Sequence, residues 1–166
     1  RAWVSLEGGV AAFDPEQALK DSPGYGLRGG YFFNRWVGVE GLFVTSSPNL
    51  EQPALGSGSF SHFGGGLIVT PDRYRWVLPY LYAGLGSAKA ENAAGSKTAG
   101  SFHGGGGVVV RAGERLGFRI DARDITYSQE GGPGRDTRVH TMYLSAGVTV
   151  VFDQCDAAGR CRKYPF

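Results

Sequence analysis

The chain has 166 residues and a formal net charge of +2, and its 28 glycines accompany 3 tryptophans, 8 tyrosines and 10 phenylalanines. The length suits one domain, the aromatic content argues against low-complexity disorder, and the absence of a Gly-X-Y period excludes collagen. There is no basic run to indicate nucleic-acid binding and no apolar stretch near the ~18 residues of a transmembrane helix.

Eight segments show the residue alternation of β-strands. Most are close to the ~9–11 residues that a tilted strand needs to cross a bilayer, whereas strands of soluble proteins more often have about 5–6. In chain order the predicted strands are 2–13, 25–33, 36–45, 59–70, 76–87, 101–111, 115–127 and 139–152.

The predicted connections alternate between long polar loops and tight turns. This pattern is typical of outer-membrane barrels, which have short periplasmic turns and long extracellular loops. We therefore predict an all-β fold, a membrane-spanning up-and-down antiparallel β-barrel of about eight strands, in the bacterial outer membrane. The long loops are 14–24, 46–58, 88–100 and 128–138, and the short turns lie at 34–35, 71–74 and 112–114.

The strands alternate between apolar and polar residues with a period of two. In the last strand Leu144 and Val148 share one face and Tyr143 and Thr149 share the other. A soluble barrel would turn the apolar face inward, but the polar faces here carry opposite charges that suit a narrow lumen. We predict that the apolar rows face lipid. The strand 59–70 alternates poorly, so the residue pattern does not predict its register.

Aromatic residues gather at both ends of the predicted strands. Two such bands are typical of the girdles that barrels place at the two membrane interfaces. The band near the short turns comprises Tyr31, Phe32, Phe33, Trp36, Tyr74, Trp76 and Phe152, and the band near the long loops comprises Phe13, Tyr25, Phe43, Phe60 and Tyr127.

The inward rows carry six ionisable residues, which form the predicted lumen charge network. Each must find a partner, because an unpaired buried charge costs several kcal/mol. Arg28 and Glu40 lie on neighbouring strands of one hairpin and could pair across it. We predict a plug of salt bridges rather than an ion path. The six residues are Glu7, Arg28, Glu40, Arg119, Asp121 and Arg123.

The last strand carries a polar-x-Gly-x-x-apolar-x-aromatic pattern. It is formed by Ser145, Gly147, Val150 and Phe152. The pattern resembles the terminal-strand signal by which the barrel-assembly machinery recognises its clients, an extended strand available for strand addition. We predict a barrel-assembly signal at these residues.

No catalytic, cofactor or metal site is predicted. A lipid hydrolase needs a nucleophile, a base and an orienting residue within hydrogen-bond reach on the surface that meets lipid. Among the histidines His62, His103 and His140, the first two are expected to face inward, and no serine has nucleophile-elbow spacing. The glycine runs 64–66 and 104–107 lack the helix and lysine of a phosphate loop, so we expect them to relieve barrel curvature.

The residues after the last strand form a separate segment. We predict a transmembrane barrel over residues 1–152 and a periplasmic tail or linker over 153–166. Cys155 and Cys161 lie close together in this tail, and a disulfide is expected in an oxidising compartment. Two thiols are too few for a typical zinc site.

The chain resembles the OmpA-like outer-membrane β-barrel family over roughly residues 1–152. The resemblance rests on the stretch 79–86, the motif 119–124 and the closing pattern 147–152, together with the eight-segment layout. It implies an eight-stranded barrel with a polar lumen. Family members often carry a peptidoglycan-binding domain; the predicted tail could be the start of a linker to one or a short natural end, so peptidoglycan anchoring is not carried over to this chain.

These observations predict a non-enzymatic structural or scaffolding protein of the cell envelope, alone or as a subunit of a larger complex. The alternatives are an adhesin or receptor whose loops bind a partner, a narrow ion channel, and a soluble lipocalin-type barrel. The expected partners are outer-membrane lipid and lipopolysaccharide, the barrel-assembly machinery and other envelope proteins, with no nucleic acid.

Overall fold

The protein is a closed barrel of eight antiparallel strands. The computed structural model describes residues 1–13, 21–48, 58–70, 76–92, 95–113, 115–130 and 136–152. Each strand pairs with its sequence neighbours, and β8 closes the barrel on β1, which confirms the predicted fold. The strands are β1 (Ala2–Phe13), β2 (Ser22–Phe32), β3 (Val37–Ser46), β4 (Ser59–Val69), β5 (Val77–Asn92), β6 (Gly95–Arg111), β7 (Leu116–Glu130) and β8 (Asp136–Phe152).

The connections define two ends of the barrel. The upper end holds the β1–β2, β3–β4, β5–β6 and β7–β8 connections, and the lower end holds the other three. The part of the chain that the structure describes contains no helix long and apolar enough to span a bilayer. The predicted tail, with Cys155 and Cys161, lies outside the described residues, as does Tyr74.

The prediction of a long loop was wrong for two of the four connections at the upper end. The segment 88–100 is mostly strand, because β5 and β6 stay paired up to Asn92 opposite Gly95. The segment 128–138 is also mostly strand, with Glu130 opposite Asp136. Strand β2 likewise begins earlier than predicted, at Ser22. Among the described residues, the β5–β6 and β7–β8 hairpins therefore extend further toward the upper end than predicted.

The β5 extension carries polar contacts beyond the apolar part of the strand. Lys89 Nζ lies 2.6 Å from Glu91 Oε1, and the Ser59 hydroxyl donates a hydrogen bond of 2.8 Å to Glu91 Oε2. The hydrogen bonds from Lys89 and Ser59 hold the pKa of Glu91 below its usual value. These contacts tie the base of the hairpin to β4.

Large apolar side chains cover the outer surface. Leu6 is 68 % exposed and Ile120 is 60 % exposed, whereas Arg119 and Asp121 are each 3 % exposed. The apolar rows therefore point outward and the ionised rows point inward, which suits a barrel solvated by lipid. Other members of this outer belt are Val4, Val10, Leu27, Leu67, Leu81, Leu85, Phe118, Leu144 and Val148.

The aromatic bands are only partly as predicted. At the lower end Phe33, Trp36, Trp76 and Phe152 are exposed, and at the upper end Tyr25 and Phe43 are exposed. Phe32, Phe13, Phe60 and Tyr127 are instead buried inside the barrel. Side chains of successive strand residues point to opposite faces, so aromatics at the same height divide between lipid and lumen. Phe63 and Phe102 are also exposed on the outer surface.

Candidate functional site in the barrel lumen

The lumen is filled in three layers rather than by polar residues alone. Its upper layer is an apolar cluster, which corrects the expectation of a purely polar interior. The Phe13 and Phe60 rings meet edge to face with centroids 5.5 Å apart, and Val44 and Ile125 are fully buried beside them. The cluster also contains Ala11, Leu42, Ala88, Tyr127, Val139 and Tyr143. These side chains close the upper end of the lumen.

The lower layer is a second apolar cluster with an open mouth. It is formed by Trp3, Phe32, Ile68, Tyr80, Tyr82 and Val151. A small cavity of about 30 Å³ opens from this cluster toward the lower end, and Arg119 is among its lining residues.

The middle layer is the lumen charge network, in which the structure brings the six predicted ionisable residues together. Arg28 is its centre. Its guanidinium lies 2.6 Å from Asp121 Oδ2, 3.3 Å from Glu7 Oε2 and 3.7 Å from Glu40 Oε2. Since all four side chains are almost completely buried, each carboxylate depends on a neighbouring guanidinium for its stability.

The contact between Arg28 and Glu40 is diagonal. The β2–β3 register places Arg28 opposite Leu42 and Glu40 opposite Gly30. Long side chains reach a diagonal neighbour on the same face of a sheet. The two charged groups therefore come together across the hairpin although the two residues are not directly opposite each other.

Arg119 joins the charge network to the lower cluster. Its guanidinium lies 3.6 Å from Glu40 Oε2 and 3.5 Å from Asp121 Oδ2. The same group stacks on the rings of Tyr80 and Trp3, at 4.1 and 4.7 Å from their centroids. Tyr80 accepts a hydrogen bond of 2.7 Å from Arg119 Nε and donates one of 2.8 Å to Asp121. Cation–π contacts strengthen when water is excluded.

Arg123 and Ser145 complete the network on its other side. Arg123 Nη2 lies 3.9 Å from Glu7 Oε1, and Arg123 Nε donates a hydrogen bond of 3.0 Å to the Tyr82 hydroxyl. The Ser145 hydroxyl donates to Asp121 at 3.0 Å and to Glu7 at 3.4 Å. With three guanidinium groups and three carboxylates, the network is electrically balanced.

Glycines make room for the large side chains of the lumen. A methyl group at Gly26 would lie 2.7 Å from Glu7 Oε1, so no other residue fits there unless Glu7 moves. The glycines therefore have a more specific role than the predicted relief of curvature. The cross-strand pairs are Trp3 with Gly30, Glu7 with Gly26 and Gly147, Tyr80 with Gly107, and Tyr82 with Gly105.

The glycine run 64–66 shows a second role of glycine, the close approach of neighbouring strand backbones. A Cβ at Gly66 would meet the Ala83 carbonyl oxygen and would lie 2.6 Å from the Gly84 Cα, whereas a Cβ at Gly65 meets only the Glu40 oxygen, at 3.4 Å. We expect Gly66→Ala to lower the free energy of unfolding by about 1–3 kcal/mol, the usual cost of overpacking. Gly65→Ala is the matched control and should change it much less. Equal effects in urea titrations of the refolded variants would refute this explanation.

His62 and His103 face inward, as expected, and lie beside the network. Their rings are 5.1 Å apart at an angle of 77°, and His62 Nε2 is 3.1 Å from the Ser101 hydroxyl oxygen. Within the described ranges there is no group of three or more His, Cys, Asp or Glu side chains arranged to hold a metal ion. The pair is a buried part of the packed interior.

The four residues of the proposed barrel-assembly signal divide between the two faces of β8. Ser145 contacts the charge network, and Gly147 lies against Leu6 and Glu7 of β1. Val150 and Phe152 are exposed on the outer surface, at 38 % and 52 %. The apolar and aromatic members are thus placed on the face that an assembly factor could contact.

The tyrosines and tryptophan of the lumen were not identified as site residues from the sequence. Tyr80 and Tyr82 alternate with Pro79, Leu81 and Ala83, so both rows of β5 are apolar or aromatic and neither is marked as inward. The one available signal was pairing with glycine, because a bulky lumen residue requires a small cross-strand neighbour.

Comparison with known proteins agrees with this architecture. A family model described as "Outer membrane protein beta-barrel domain" matches residues 1–152. The chain belongs to this outer-membrane β-barrel family, which supports a location in the bacterial outer membrane. The predicted OmpA-like resemblance is confirmed at the level of an eight-stranded outer-membrane barrel. No curated protein matches the chain.

Solved structures share the fold. Neisserial surface protein A matches with a TM-score of 0.70 and 20% identity, over 91% of this chain and 97% of that chain. Ail, the attachment invasion locus protein of Yersinia pestis, matches with a TM-score of 0.54 and 24% identity, over 89% and 97%. The outer membrane enzyme PagL matches with a TM-score of 0.50 and 15% identity, over 90% and 99%. At these identities the likeness shows the fold alone.

Proposed function

We propose that the protein is a structural component of the outer membrane, alone or as a subunit of a larger envelope complex. The observation that carries this proposal is the filled lumen. The upper apolar cluster, the lumen charge network and the lower apolar cluster follow one another along the barrel axis. A barrel of about eight strands has an interior just wide enough for such side chains. The lumen therefore serves to hold the barrel rigid, and it performs no chemistry.

The proposed orientation places the upper end outside the cell and the lower end in the periplasm. Its support is the general arrangement of outer-membrane barrels, whose longer segments are extracellular, together with the extension of the β5–β6 and β7–β8 hairpins above the apolar belt. The proposed partners are membrane lipid and lipopolysaccharide around the belt, the assembly machinery during biogenesis, and other envelope proteins. Nucleic acid is not among them.

A filled lumen should not conduct ions. We expect the refolded protein to show heat-modifiable migration in electrophoresis, which reports a folded barrel, and no stepwise conductance in planar bilayers. A porin with 16 strands, whose lumen is an aqueous channel, is the positive control.

In a strain that lacks the gene, wild-type protein should restore resistance to detergent. Stepwise conductance by the folded protein, or unchanged detergent resistance on deletion, would contradict the structural role.

A further inference from the structure

Three polar side chains converge on the outer surface of the β7–β8 hairpin, away from the lumen. His140 Nδ1 lies 3.0 Å from Asp124 Oδ2 and 3.3 Å from Asp124 Oδ1. The Thr126 hydroxyl oxygen is 3.3 Å from the same ring nitrogen and donates a hydrogen bond of 3.2 Å to Asp124 Oδ2. The register places Thr126 directly opposite His140, so the backbone fixes this arrangement.

The cluster lies where the outer surface changes from apolar to polar. Along the outward row of β8, Leu144 and Met142 are exposed and belong to the apolar belt, whereas the next outward residues are His140 and Arg138. On the neighbouring strand β6, Phe102 is also exposed to lipid and lies opposite Thr126. At this boundary the glycerol or sugar esters of membrane lipids meet their acyl chains.

The hydrogen bonds decide which atom of the cluster is basic. When Nδ1 carries the proton and donates it to Asp124, the lone pair of the imidazole is on Nε2. Asp124 then orients the ring and stabilises the imidazolium that forms on protonation, as a carboxylate does in a catalytic triad. The Thr126 hydroxyl contacts the protonated nitrogen and Asp124, so it positions the carboxylate and does not serve as the nucleophile.

We propose that Asp124, Thr126 and His140 form a site that hydrolyses acyl esters of membrane lipids, with water as the nucleophile. His140 Nε2 takes a proton from water, and the resulting hydroxide attacks the ester carbonyl carbon. The tetrahedral intermediate collapses with cleavage of the bond between the acyl carbon and the alkoxy oxygen. The imidazolium returns its proton to the leaving alkoxide, so a fatty acid and an alcohol are formed from the ester and water.

Arg138 gives this site a preference for anionic lipids. It occupies the outward position next to His140 on β8 and is exposed. Position 138 lies on the polar side of the cluster, where a phosphate group of a lipid would be found, and guanidinium groups bind phosphate well. Glycerophospholipid and the lipid part of lipopolysaccharide both combine a phosphate with acyl esters. The proposal rests on the proposed membrane function, because the belt must hold the cluster at the ester level.

The test uses the full chain refolded into vesicles of phosphatidylethanolamine and phosphatidylglycerol, with or without lipopolysaccharide. Released fatty acid is measured by mass spectrometry, which also shows which lipid was cleaved. We expect release above that of protein-free vesicles, and a loss of about 10²-fold or more in His140→Asn, the usual contribution of a general base. His140→Ala should be partly restored by added imidazole, a result that a purely structural role of His140 would not produce.

Asp124→Asn should lower the maximal rate without changing the lipid fraction that gives half the maximal rate, because Asp124 orients the base and does not bind substrate. Ser128→Ala, at another exposed position of β7, is the matched control and should retain wild-type activity. Heat-modifiable migration of every variant reports that the barrel folds. Folded wild-type protein that releases no fatty acid in either vesicle type would overturn the proposal, as would full activity of folded His140→Asn, and both results would leave the structural role intact.

Discussion

Replacing Arg28 by methionine is expected to lower the free energy of unfolding by about 3–5 kcal/mol, because it removes one partner of a buried ionic cluster. Methionine fills much of the same volume, so the loss reports charge rather than a cavity. The change leaves Glu7, Glu40 and Asp121 with two guanidinium groups among three carboxylates. Urea unfolding of the protein in phospholipid vesicles, followed by tryptophan fluorescence, measures the difference.

A second substitution separates the charge effect from local damage. Asp121 makes the shortest ion pair with Arg28, at 2.6 Å, and Asp121→Asn would restore electrical balance in the Arg28→Met background. The double variant should recover part of the lost stability, and a double-mutant cycle gives the coupling energy. A single variant within 1 kcal/mol of wild type would show that the charge network is not what holds the lumen together.

Arginine at position 6 is expected to lower the free energy of unfolding by about 2–4 kcal/mol, the cost of a charged side chain at the bilayer midplane of a barrel. Leu6 is 68 % exposed and is flanked across the strands by Leu27 and Val148, which are also exposed. The guanidinium would therefore lie among acyl chains. The same unfolding measurement in vesicles provides the value.

The matched control for Leu6→Arg is Met142→Arg at the upper edge of the belt. Met142 is 48 % exposed, and the next outward residue on its strand is His140, so an arginine there can reach the headgroups. It should cost only about 0–1 kcal/mol. If both substitutions had the same effect, the outer surface would not be embedded with the depth that the belt indicates.

The inward placement of the charges could be predicted because alternation with a period of two reports the face directly. Arg119, Asp121 and Arg123 lie at every second position of β7, and the apolar residues Phe118, Ile120 and Ala122 alternate with them. Once one row is apolar and the other ionised, the face of every side chain on the strand follows. The close grouping in space follows from barrel closure, because an eight-stranded lumen leaves no room for the charges to stay apart.

The extent of the upper hairpins could not be predicted, because composition does not separate strand from loop there. The segment 88–100 is rich in alanine and glycine, which are both depleted in β-strands. It remains extended because each strand of the hairpin supplies a complete ladder of hydrogen bonds for the other, from Ala88 opposite Ala99 to Asn92 opposite Gly95. This stabilisation comes from the pairing of the two strands, so the residues of either strand alone do not indicate it.

The inward aromatic residues were predicted to be girdle residues because only their position along the barrel axis was considered. Whether each side chain points to the lipid or to the lumen was left out. Phe32 and Phe33 are adjacent, yet Phe32 is 7 % exposed and Phe33 is 63 % exposed. The cluster of Asp124, Thr126 and His140 on the outer surface was not predicted for a different reason. Asp124, Thr126 and His140 come together only through the register of β7 with β8, which depends on the length of the connecting turn.

The pairing of bulky lumen residues with glycine also selects among alternative alignments of the strands during assembly. A shift of β5 against β6 by two residues would keep every apolar side chain facing lipid, so the membrane alone cannot reject it. In the native register Tyr82 lies opposite Gly105 and Tyr80 lies opposite Gly107. A shift in one direction would place Tyr82 opposite His103, and a shift in the other direction would place Tyr80 opposite Val109. The misaligned barrel would have to fit two large side chains into a space made for one, so only the native alignment closes.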